Sequence, residues 1–364
     1  MNIHSIARRI ISGLIPGKVL TYTRKKRFSE DRIIYKGMSF REFKDAAFAD
    51  FASVLPVAER QRISLDMIDA FLRYHVRPDE YFLYHFDKIA DARRSDYLPQ
   101  MAKDMMMSRY YGSKSTEIIG FMRNKSVFYD AMKPFFRRDA ISVASMDDLR
   151  LFSSFCEKHP VFIAKDDSGG CGVGIRVISV DEHEDMSGLL EEITSSGRKI
   201  IEEIITQDPS IAAFNTSSVN TVRFPSFRHG NQVDQVFPCM RFGRSGNIVD
   251  NAGQGGVFVS IDIDSGEIIT DAFDEHGHRY EAHPDTGMVF KGFVIPGWHE
   301  LREIAKAAHL AMPEEQVYVA FDFALSDKGW VIVEGNWGDW ILQQVSLERG
   351  MKNEFYSLLY GNNS

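Results

Sequence analysis

Residues 317–336 read VYVAFDFALSDKGWVIVEGN, and this stretch indicates the fold more directly than any other part of the chain. Two apolar runs rich in β-branched and aromatic residues flank the triplet Asp327-Lys328-Gly329, a pattern typical of a β-hairpin. Because side chains alternate along a strand, Glu334 and Asn336 share one face, and Asp322 comes from the facing strand. Two carboxylates and an amide oxygen are hard ligands that suit Mg²⁺ shared with phosphate oxygens. The hairpin therefore predicts a metal site formed by Asp322, Glu334 and Asn336.

A glycine-dense loop lies upstream, in the segment FIAKDDSGGCGVGI at residues 162–175. Lys165 ends an apolar run whose length and composition favour a strand, and the loop follows it directly. Glycines let the backbone approach a ligand closely, so that its N–H groups face phosphate oxygens. The candidate ligand-binding residues here are Lys165, Ser168, Gly169, Gly170 and Gly172. Neither a P-loop nor a dinucleotide-binding glycine motif is present, and a flexible hairpin tip is the alternative interpretation.

Three further segments carry charged residues within apolar runs. In IIEEII, residues 200–205, a two-residue period requires one of Glu202 and Glu203 to point inward, and an edge strand is the alternative. Arg223 lies in VNTVRF and Arg241 in CMRFG, and guanidinium groups suit carboxylate or phosphate recognition. The segment DNAGQGG, with Asn251, is a second glycine-rich loop. The alternative is two solvent-facing arginines followed by a hairpin turn.

The composition excludes several classes of protein. The chain has 364 residues, 44% hydrophobic and 26% charged, with a formal net charge of −8. Nucleic-acid binders normally present a basic surface, so no nucleic-acid partner is expected. Three cysteines, far apart and odd in number, argue against a disulfide framework or a CxxC zinc site. No run approaches the roughly 20 apolar residues of a membrane span. We predict a cytoplasmic location.

The amino-terminal third reads as mostly helical. SFREFKDAAFADFASVL has helical periodicity, a second helix is predicted to begin at Ser64, and a third at Pro78. Residues 1–27 form a basic amphipathic segment. We favour an ordinary helix packed on the body of the protein for that segment, with weak contact to an anionic membrane surface as the alternative, which would make the protein peripheral at the inner membrane face.

From about residue 161 onward, strand-like and helix-like segments alternate, and turn signals separate several of them. The histidine-rich stretch DEHGHRYEAH at residues 274–283 lacks a recognised zinc-ligand spacing, so we predict a surface loop there. The whole pattern predicts an α+β protein with antiparallel sheets, preceded by a mostly helical N-terminal domain.

The order of these features resembles the sugar-transfer-associated ATP-grasp family, which is related to the glutamate-ligase branch of the ATP-grasp superfamily. SSVNTVRF, DNAGQGGVFVSIDIDSGE, His283-Pro284, Ile295-Pro296 and DFALSDKGWVIVEGN carry the resemblance, which covers about residues 119–345. It implies an ATP-grasp fold of two lobes with antiparallel sheets. The implied organisation is a helical region at 1–118, lobe A at 119–200, and lobe B at 201–364 with a C-terminal helix.

The resemblance also implies ATP and Mg²⁺ as cofactors and assigns residues to them. The implied nucleotide-binding set includes two lysines, the loop over the phosphates and the strand beside adenine: Lys125, Lys165, Ser168, Gly169, Gly170, Gly172, Glu202, Glu203, Ile205 and Asn220. The implied catalytic residues, facing the transferred phosphate and the acceptor carboxylate, are Arg223, Arg241 and Asn251. Asp322, Glu334 and Asn336 match the magnesium ligands.

The implied reaction joins a carboxylate, either a small molecule or linked to a sugar, to an amine through an acyl phosphate in polysaccharide or glycoconjugate biosynthesis. Three alternatives remain open at this point. The chain could phosphorylate a hydroxyl group as an ATP-grasp kinase, bind nucleotide as a regulator without turnover, or act as a helical scaffold with a vestigial site.

Overall fold

The computed structural model describes residues 29–35, 37–168, 174–244, 255–338 and 340–361. The chain divides into two compact units. The first contains Met1–Tyr110 and Glu348–Asn353, and the second contains Tyr111–Leu347 and Glu354–Ser364. Among the described residues, no helix combines the length and the apolar content needed to cross a membrane.

The described part of the first unit is mainly helical. A short hairpin precedes the helices. The elements of this unit, in chain order, are β1 (Ile34–Tyr35), β2 (Met38–Ser39), α1 (Phe40–Ala52), α2 (Val57–Tyr74), α3 (Pro78–Leu83), α4 (Asp91–Arg94) and most of α5 (Gln100–Tyr111). Ser39 caps α1 by accepting from the Glu42 amide, while the Glu42 carboxylate accepts from the Ser39 amide. The start predicted at Ser64 is wrong: α2 begins seven residues earlier, after the N-cap residue Pro56, and its buried stripe already includes Ile63, which precedes Ser64.

The second unit contains two antiparallel sheets and the remaining helices. Its described helices are α6 (Ser115–Arg123), α7 (Lys125–Phe136), α8 (Leu149–Lys158), α9 (Met186–Thr194), α10 (Pro209–Ala212), α11 (Trp298–Ala311), α12 (Ile341–Ser346) and most of α13 (Lys352–Tyr360). Short 3₁₀ turns occur at Gly112–Lys114, Met146–Asp148 and Val180–Glu182.

The smaller sheet has four strands in the order β3-β6-β4-β5. Their bounds are β3 (Ala140–Val143), β4 (Val161–Asp166), β5 (Arg176–Ser179) and β6 (Lys199–Glu203). One face packs under α8 and α9 in an apolar core that includes Phe152, Phe162 and Ile201. Lys165 lies opposite Ile200, and Ile163 lies opposite Glu202, so Lys165 and Glu202 share the other face.

The larger sheet has eight strands in the order β12-β11-β10-β9-β7-β13-β14, with β8 also paired to β7. Their bounds are β7 (Thr221–His229), β8 (Gln232–Gln235), β9 (Cys239–Phe242), β10 (Val257–Ser260), β11 (Ala272–Phe273), β12 (Arg279–Tyr280), β13 (Tyr318–Ser326) and β14 (Gly329–Asn336). Its apolar face packs on α6, α7 and α11 through residues such as Phe128, Phe224 and Phe321. The opposite face carries Arg223, Arg241 and Asp322.

The two sheets are joined at the β13–β14 turn. The Asp208 amide donates to the Leu325 carbonyl at 2.9 Å, and the Asp327 amide donates to the Thr206 carbonyl at 3.0 Å. Lys328 on the same turn forms an ion pair with Glu203 at the end of β6. These bonds fix the position at which the chain passes from the smaller sheet to the larger one.

The predicted α+β architecture, with antiparallel sheets and a helical N-terminal region, is confirmed. The lobe boundaries at residues 119 and 201 stay predictions. Residues Phe128, Met132 and Phe136 of α7, which fall within the predicted lobe A, lie in the same core as the eight-stranded sheet.

Candidate active site

A small pocket lies where the two sheets of the second unit approach each other. Lys165 reaches it from the end of β4, and Lys125 reaches it from the first residue of α7. The lining residues come from both sheets and from α7: Lys125, Phe128, Phe136, Lys165, Ile200, Glu202, Val333 and Glu334. The structure thus brings together two lysines that are forty residues apart in the sequence.

Glu202 is the buried carboxylate of the pair predicted in IIEEII. Its Oε2 accepts from Lys165 Nζ at 2.9 Å and from Arg138 Nη2 at 2.7 Å. Burial by itself would raise the Glu202 pKa, but Lys165 and Arg138 outweigh it and lower the pKa to about 2. Glu202 is therefore ionised at neutral pH, and it holds Lys165 in place against the pocket wall.

Lys125 is held beside the same pocket. Its Nζ donates to the Asp166 carbonyl at 2.9 Å. Burial lowers the Lys125 pKa, and the neighbouring Lys165 lowers it further, while Glu334 and Glu202 raise it in part. Two lysine ammonium groups at the wall of a partly buried pocket are suited to a polyanion such as a nucleotide phosphate.

The β13–β14 hairpin forms with the predicted turn, since Ser326 pairs with Gly329. Asp322 lies directly opposite Glu334, and a register shift follows between Asp322 and Phe323. Asn336 Nδ2 lies 2.9 Å from Asp322 Oδ2 and 3.1 Å from Glu334 Oε1. The three predicted metal ligands are therefore adjacent, at the edge of the large sheet that faces the pocket.

Gly335 between Glu334 and Asn336 permits this arrangement. A Cβ at position 335 would overlap the ring of Phe128 on α7 and would lie 2.8 Å from Met122 Cε on α6. Only a residue without a side chain lets α7 approach β14 this closely. That approach brings Lys125 towards Glu334.

Asp322 is fully buried and anchors both predicted arginines. Arg223 donates to it through Nε at 2.8 Å and Nη2 at 3.0 Å, and Arg241 Nη2 donates at 2.8 Å. Thr221 Oγ1 accepts from Arg241 Nη2 at 2.7 Å and fixes its orientation. Burial raises the Asp322 pKa, but the two guanidinium groups outweigh this effect and lower the pKa to about 2.

The donor set fits a magnesium ion, with Glu334 as its main ligand. Glu334 is only half buried, and it lies beside a second carboxylate and an amide, all of which provide hard oxygen atoms. Asp322 Oδ2 accepts hydrogen bonds from Arg223, Arg241 and Asn336, and Oδ1 accepts one from Arg223. Asn336 turns its amide nitrogen to both carboxylates, and a half-turn of that amide would present its oxygen instead.

Other predicted nucleotide ligands take different positions. Asn220 does not reach the pocket: its Nδ2 donates to Gln207 Oε1 at 2.9 Å, and its Oδ1 accepts from the Gly243 amide at 3.1 Å. The Asn220 side chain thus links the chain segments at the ends of β7 and β9, which is a structural role. Glu203 turns away to Lys328, and Ile205 lies half-buried beyond the end of β6.

Ser168 pairs with Asn124 in an isolated bridge next to Lys125. The predicted residues Gly169, Gly170, Gly172 and Asn251 lie outside the described residues.

Two sets of residues that contribute to the site were not predicted from the sequence. Arg138 binds Glu202 and also donates to the Ile332 carbonyl on β14, so it links the two sheets. Its signal was the pair Arg137-Arg138 after α7, which resembles an exposed basic helix end. Asp166 and Asp167, directly after Lys165, hold the first turn of α7; two consecutive acids beside a phosphate-binding lysine were the available signal.

The histidines of the stretch at residues 274–283 lie in different surroundings. The buried His283 ring donates through Nε2 to the Gly243 carbonyl at 2.9 Å, and His278 pairs with Asp274. Among the described residues, the group with metal-compatible spacing is instead Asp139, His159 and Glu203, where the Lys328 ammonium already binds Glu203.

The family model described as sugar-transfer associated ATP-grasp matches residues 117–357, and this range contains the pocket, both lysines and the hairpin. The chain belongs to this family. A comparison with curated proteins finds no match. The ATP-grasp fold expected from the sequence is therefore confirmed, and its two antiparallel sheets enclose the pocket described above.

Several solved structures are similar to this ATP-grasp chain. D-alanyl-alanine synthetase A from Vibrio cholerae O1 biovar eltor is 10% identical, with a TM-score of 0.41, and the match covers 67% of this chain and 66% of that one. The ATP-grasp ligase PsnB, complexed with a phosphomimetic variant of its minimal precursor, Mg and ADP, is 11% identical, with a TM-score of 0.42 and coverages of 73% and 70%. Phosphoribosylamine–glycine ligase from Thermotoga maritima is 14% identical, with a TM-score of 0.45 and coverages of 70% and 60%. The chain thus spans slightly less than two thirds of the length of the Vibrio protein.

Proposed function

We propose that the chain is an ATP- and magnesium-dependent ligase that joins a carboxylate to an amine through an acyl phosphate. One observation carries the proposal. In a member of the ATP-grasp family, two lysines and two carboxylates line one pocket, and Asn336 links one of these carboxylates, Glu334, to Asp322 and its two arginines. The family is described as associated with sugar transfer, so we place the reaction in glycoconjugate or polysaccharide assembly, with a sugar-linked substrate.

Lys125 and Lys165 bind the ATP phosphates in this proposal. Each ammonium lies at the pocket wall, and Glu202 and Arg138 hold Lys165 in a fixed position. A preorganised cation stabilises charge that develops during phosphoryl transfer without the cost of reorienting water. Adenine would lie against the apolar wall formed by Phe136, Ile200 and Val333.

Arg223 and Arg241 orient the acceptor carboxylate and the transferred phosphoryl group. Asp322 fixes both guanidinium planes, so the carboxylate meets donors in a set direction. Glu334, with Asp322 and Asn336, would hold magnesium, which supplies charge neutralisation on the phosphates when bound with ATP. No covalent enzyme intermediate is required, because the acyl phosphate is itself reactive enough for attack by an amine.

The test is oxygen transfer during ADP formation. The full chain would be assayed with ATP and Mg²⁺ against uronic acids paired with amino acids, with the carboxylate labelled with ¹⁸O. An acyl-phosphate ligase forms ADP only when both partners are present, and it moves one ¹⁸O atom from the carboxylate into inorganic phosphate. ADP formation with a sugar hydroxyl and no amine would indicate a kinase instead, and nucleotide binding with no ADP under any pairing would indicate a regulator.

Replacing Lys165 by methionine is expected to weaken ATP binding about thirtyfold, or roughly 2 kcal/mol, because one charged donor to phosphate is lost. Methionine keeps the apolar stem, and Glu202 keeps Arg138 as its partner, so the fold should persist. Calorimetric titration with a non-hydrolysable ATP analogue measures the change. Lys158→Met on the exposed end of α8 is the control and should bind as the wild type does. If both variants bind the ATP analogue with equal affinity, Lys165 does not bind the phosphates.

A further inference from the structure

Asp166 and Asp167 lie at a junction of three chain segments. They follow Lys165 at the end of β4, they precede the glycine-rich loop, and they contact the start of α7. The Asp167 carbonyl accepts from the Lys125 amide at 2.9 Å, and Asp167 Oδ1 accepts from the Ser126 amide at 2.8 Å. One residue therefore attaches the first turn of α7 to the strand that carries Lys165.

The neighbouring bonds complete the junction. Asn124 Oδ1 accepts from the Val127 amide at 3.0 Å, and Asn124 pairs with Ser168. The amides of Lys125, Ser126 and Val127 are thus all used within the protein. Since the first amides of a helix are the ones that bind anions, α7 offers the pocket its Lys125 ammonium rather than its N-terminal amides.

Asp166, the residue before Asp167, binds both β6 and Lys125. Its carboxylate forms an ion pair with Lys199 on β6, and its carbonyl accepts from Lys125 Nζ at 2.9 Å. Gly174, with φ of 78°, packs so closely on this carboxylate that a Cβ at position 174 would overlap it. The far end of the glycine-rich loop is therefore fixed to the residue that follows Lys165.

We propose that Asp167 is a positioning residue for ATP, because it fixes the Lys125 ammonium relative to Lys165. The two lysines belong to different elements, and the bonds to Asp167 set their separation. Without the bond from the Ser126 amide to the Asp167 carboxylate, α7 would keep its apolar packing through Phe128 and Met132, while its first turn and Lys125 would be held less firmly by the remaining backbone bond. This inference rests on the proposed ATP site and deepens it.

A plain helix-capping role makes a different prediction. Asp185 caps α9 in the same way, with Oδ1 accepting from the Gly188 amide at 2.7 Å, and α9 packs on the face of the small sheet opposite the pocket lysines. Loss of either cap should lower stability. Only loss of Asp167 should alter phosphate binding, since only that helix carries a pocket lysine.

The experiment compares Asp167→Ala, Asp167→Asn, Asp167→Glu and the control Asp185→Ala in the full chain. Affinity for AMP-PNP with Mg²⁺ and for adenosine is measured by calorimetry, and Tm is measured for each variant. Asp167→Ala should weaken AMP-PNP binding at least tenfold and leave adenosine binding within twofold, because adenosine has no phosphate. Asp167→Asn keeps an oxygen acceptor and should bind AMP-PNP within threefold of the wild type. Asp185→Ala should lower Tm without changing either affinity.

Asp167→Glu serves if the alanine variant does not fold, because it keeps the charge but displaces the acceptor by one methylene. It should weaken AMP-PNP binding at least fivefold. A second check adds Lys125→Met: in that background, Asp167→Ala should cause no further loss of AMP-PNP affinity.

Wild-type AMP-PNP affinity in the alanine or glutamate variant would overturn the inference, as would an equal loss for adenosine. If the wild type binds neither nucleotide, the proposed function itself fails, and that outcome is distinct from wild-type binding that survives the substitution of Asp167.

Discussion

Replacing Glu334 by glutamine is expected to reduce magnesium-dependent ADP formation at least a hundredfold, or about 3 kcal/mol, while the protein stays folded. Glutamine keeps the size of the side chain and its acceptor for Asn336 but removes the charge that a hard cation needs. Glu334 is half-buried on an edge strand, and the nearby Lys125 keeps its hydrogen bond to the Asp166 carbonyl, so the loss of the Glu334 charge should not unfold the protein.

The measurement is ADP release across a magnesium titration. Glu314→Gln, at an exposed position just before β13, is the matched control and should behave as the wild type does. A Glu334→Gln variant that reaches the wild-type rate at the same magnesium concentration would exclude Glu334 as a metal ligand. Unchanged binding of magnesium-free ATP would show that the loss lies in the metal and not in the pocket.

The Asp322→Asn variant should lose stability as well as activity. Asp322 is the shared counter-charge of two buried arginines, and removing one partner of a buried ion pair typically costs about 3–5 kcal/mol. The amide would also face the N–H groups of Arg223 with a nitrogen, which cannot accept a hydrogen bond. We expect hydrogen exchange of the β7 and β13 amides to quicken accordingly.

Asp327→Asn makes the same chemical change at the exposed turn of the same hairpin, and its exchange rates should match the wild type. Asp322→Asn with wild-type exchange would mean that the arginines do not depend on this carboxylate. The contrast with Glu334→Gln distinguishes the roles of the two carboxylates. Glu334 is expected to hold the metal, and Asp322 is expected mainly to hold the arginines.

Much of the hairpin was predictable because its determinants are local. Turn residues at 327–329 and alternation along both strands predict the hairpin, but a regular register would place Asp322 opposite Val333. The register shift between Asp322 and Phe323 places it opposite Glu334 instead. The helix at Pro78 and the capped start of α1 follow from the same kind of short-range signal. Where two local signals competed, as between Pro56 and Ser64, the apolar stripe through Ile63 and Met67 decided the start of α2.

The partners of the predicted site residues were not predictable in this way. Arg223 and Asp322 are 99 residues apart, and their pairing depends on β7 lying beside β13 in the large sheet. Neither segment contains a sequence signal that predicts the pairing of β7 with β13. Glu202 was expected near the base or ribose of ATP, and its pairing with Lys165 and Arg138 likewise follows from the order of strands in the small sheet and from the place where α7 ends.

The contact of Gly335 with Phe128 also has an evolutionary consequence. Any mutation that adds a methyl group at 335 collides with a ring that belongs to the helix carrying Lys125. Such a mutation can be inherited only together with a smaller residue at 128 or with a displaced helix. In related chains the two positions should therefore covary: glycine at the first with a large aromatic at the second, or alanine with a smaller aliphatic residue. Drift at one of them is constrained by the other, although more than 200 residues of sequence separate them.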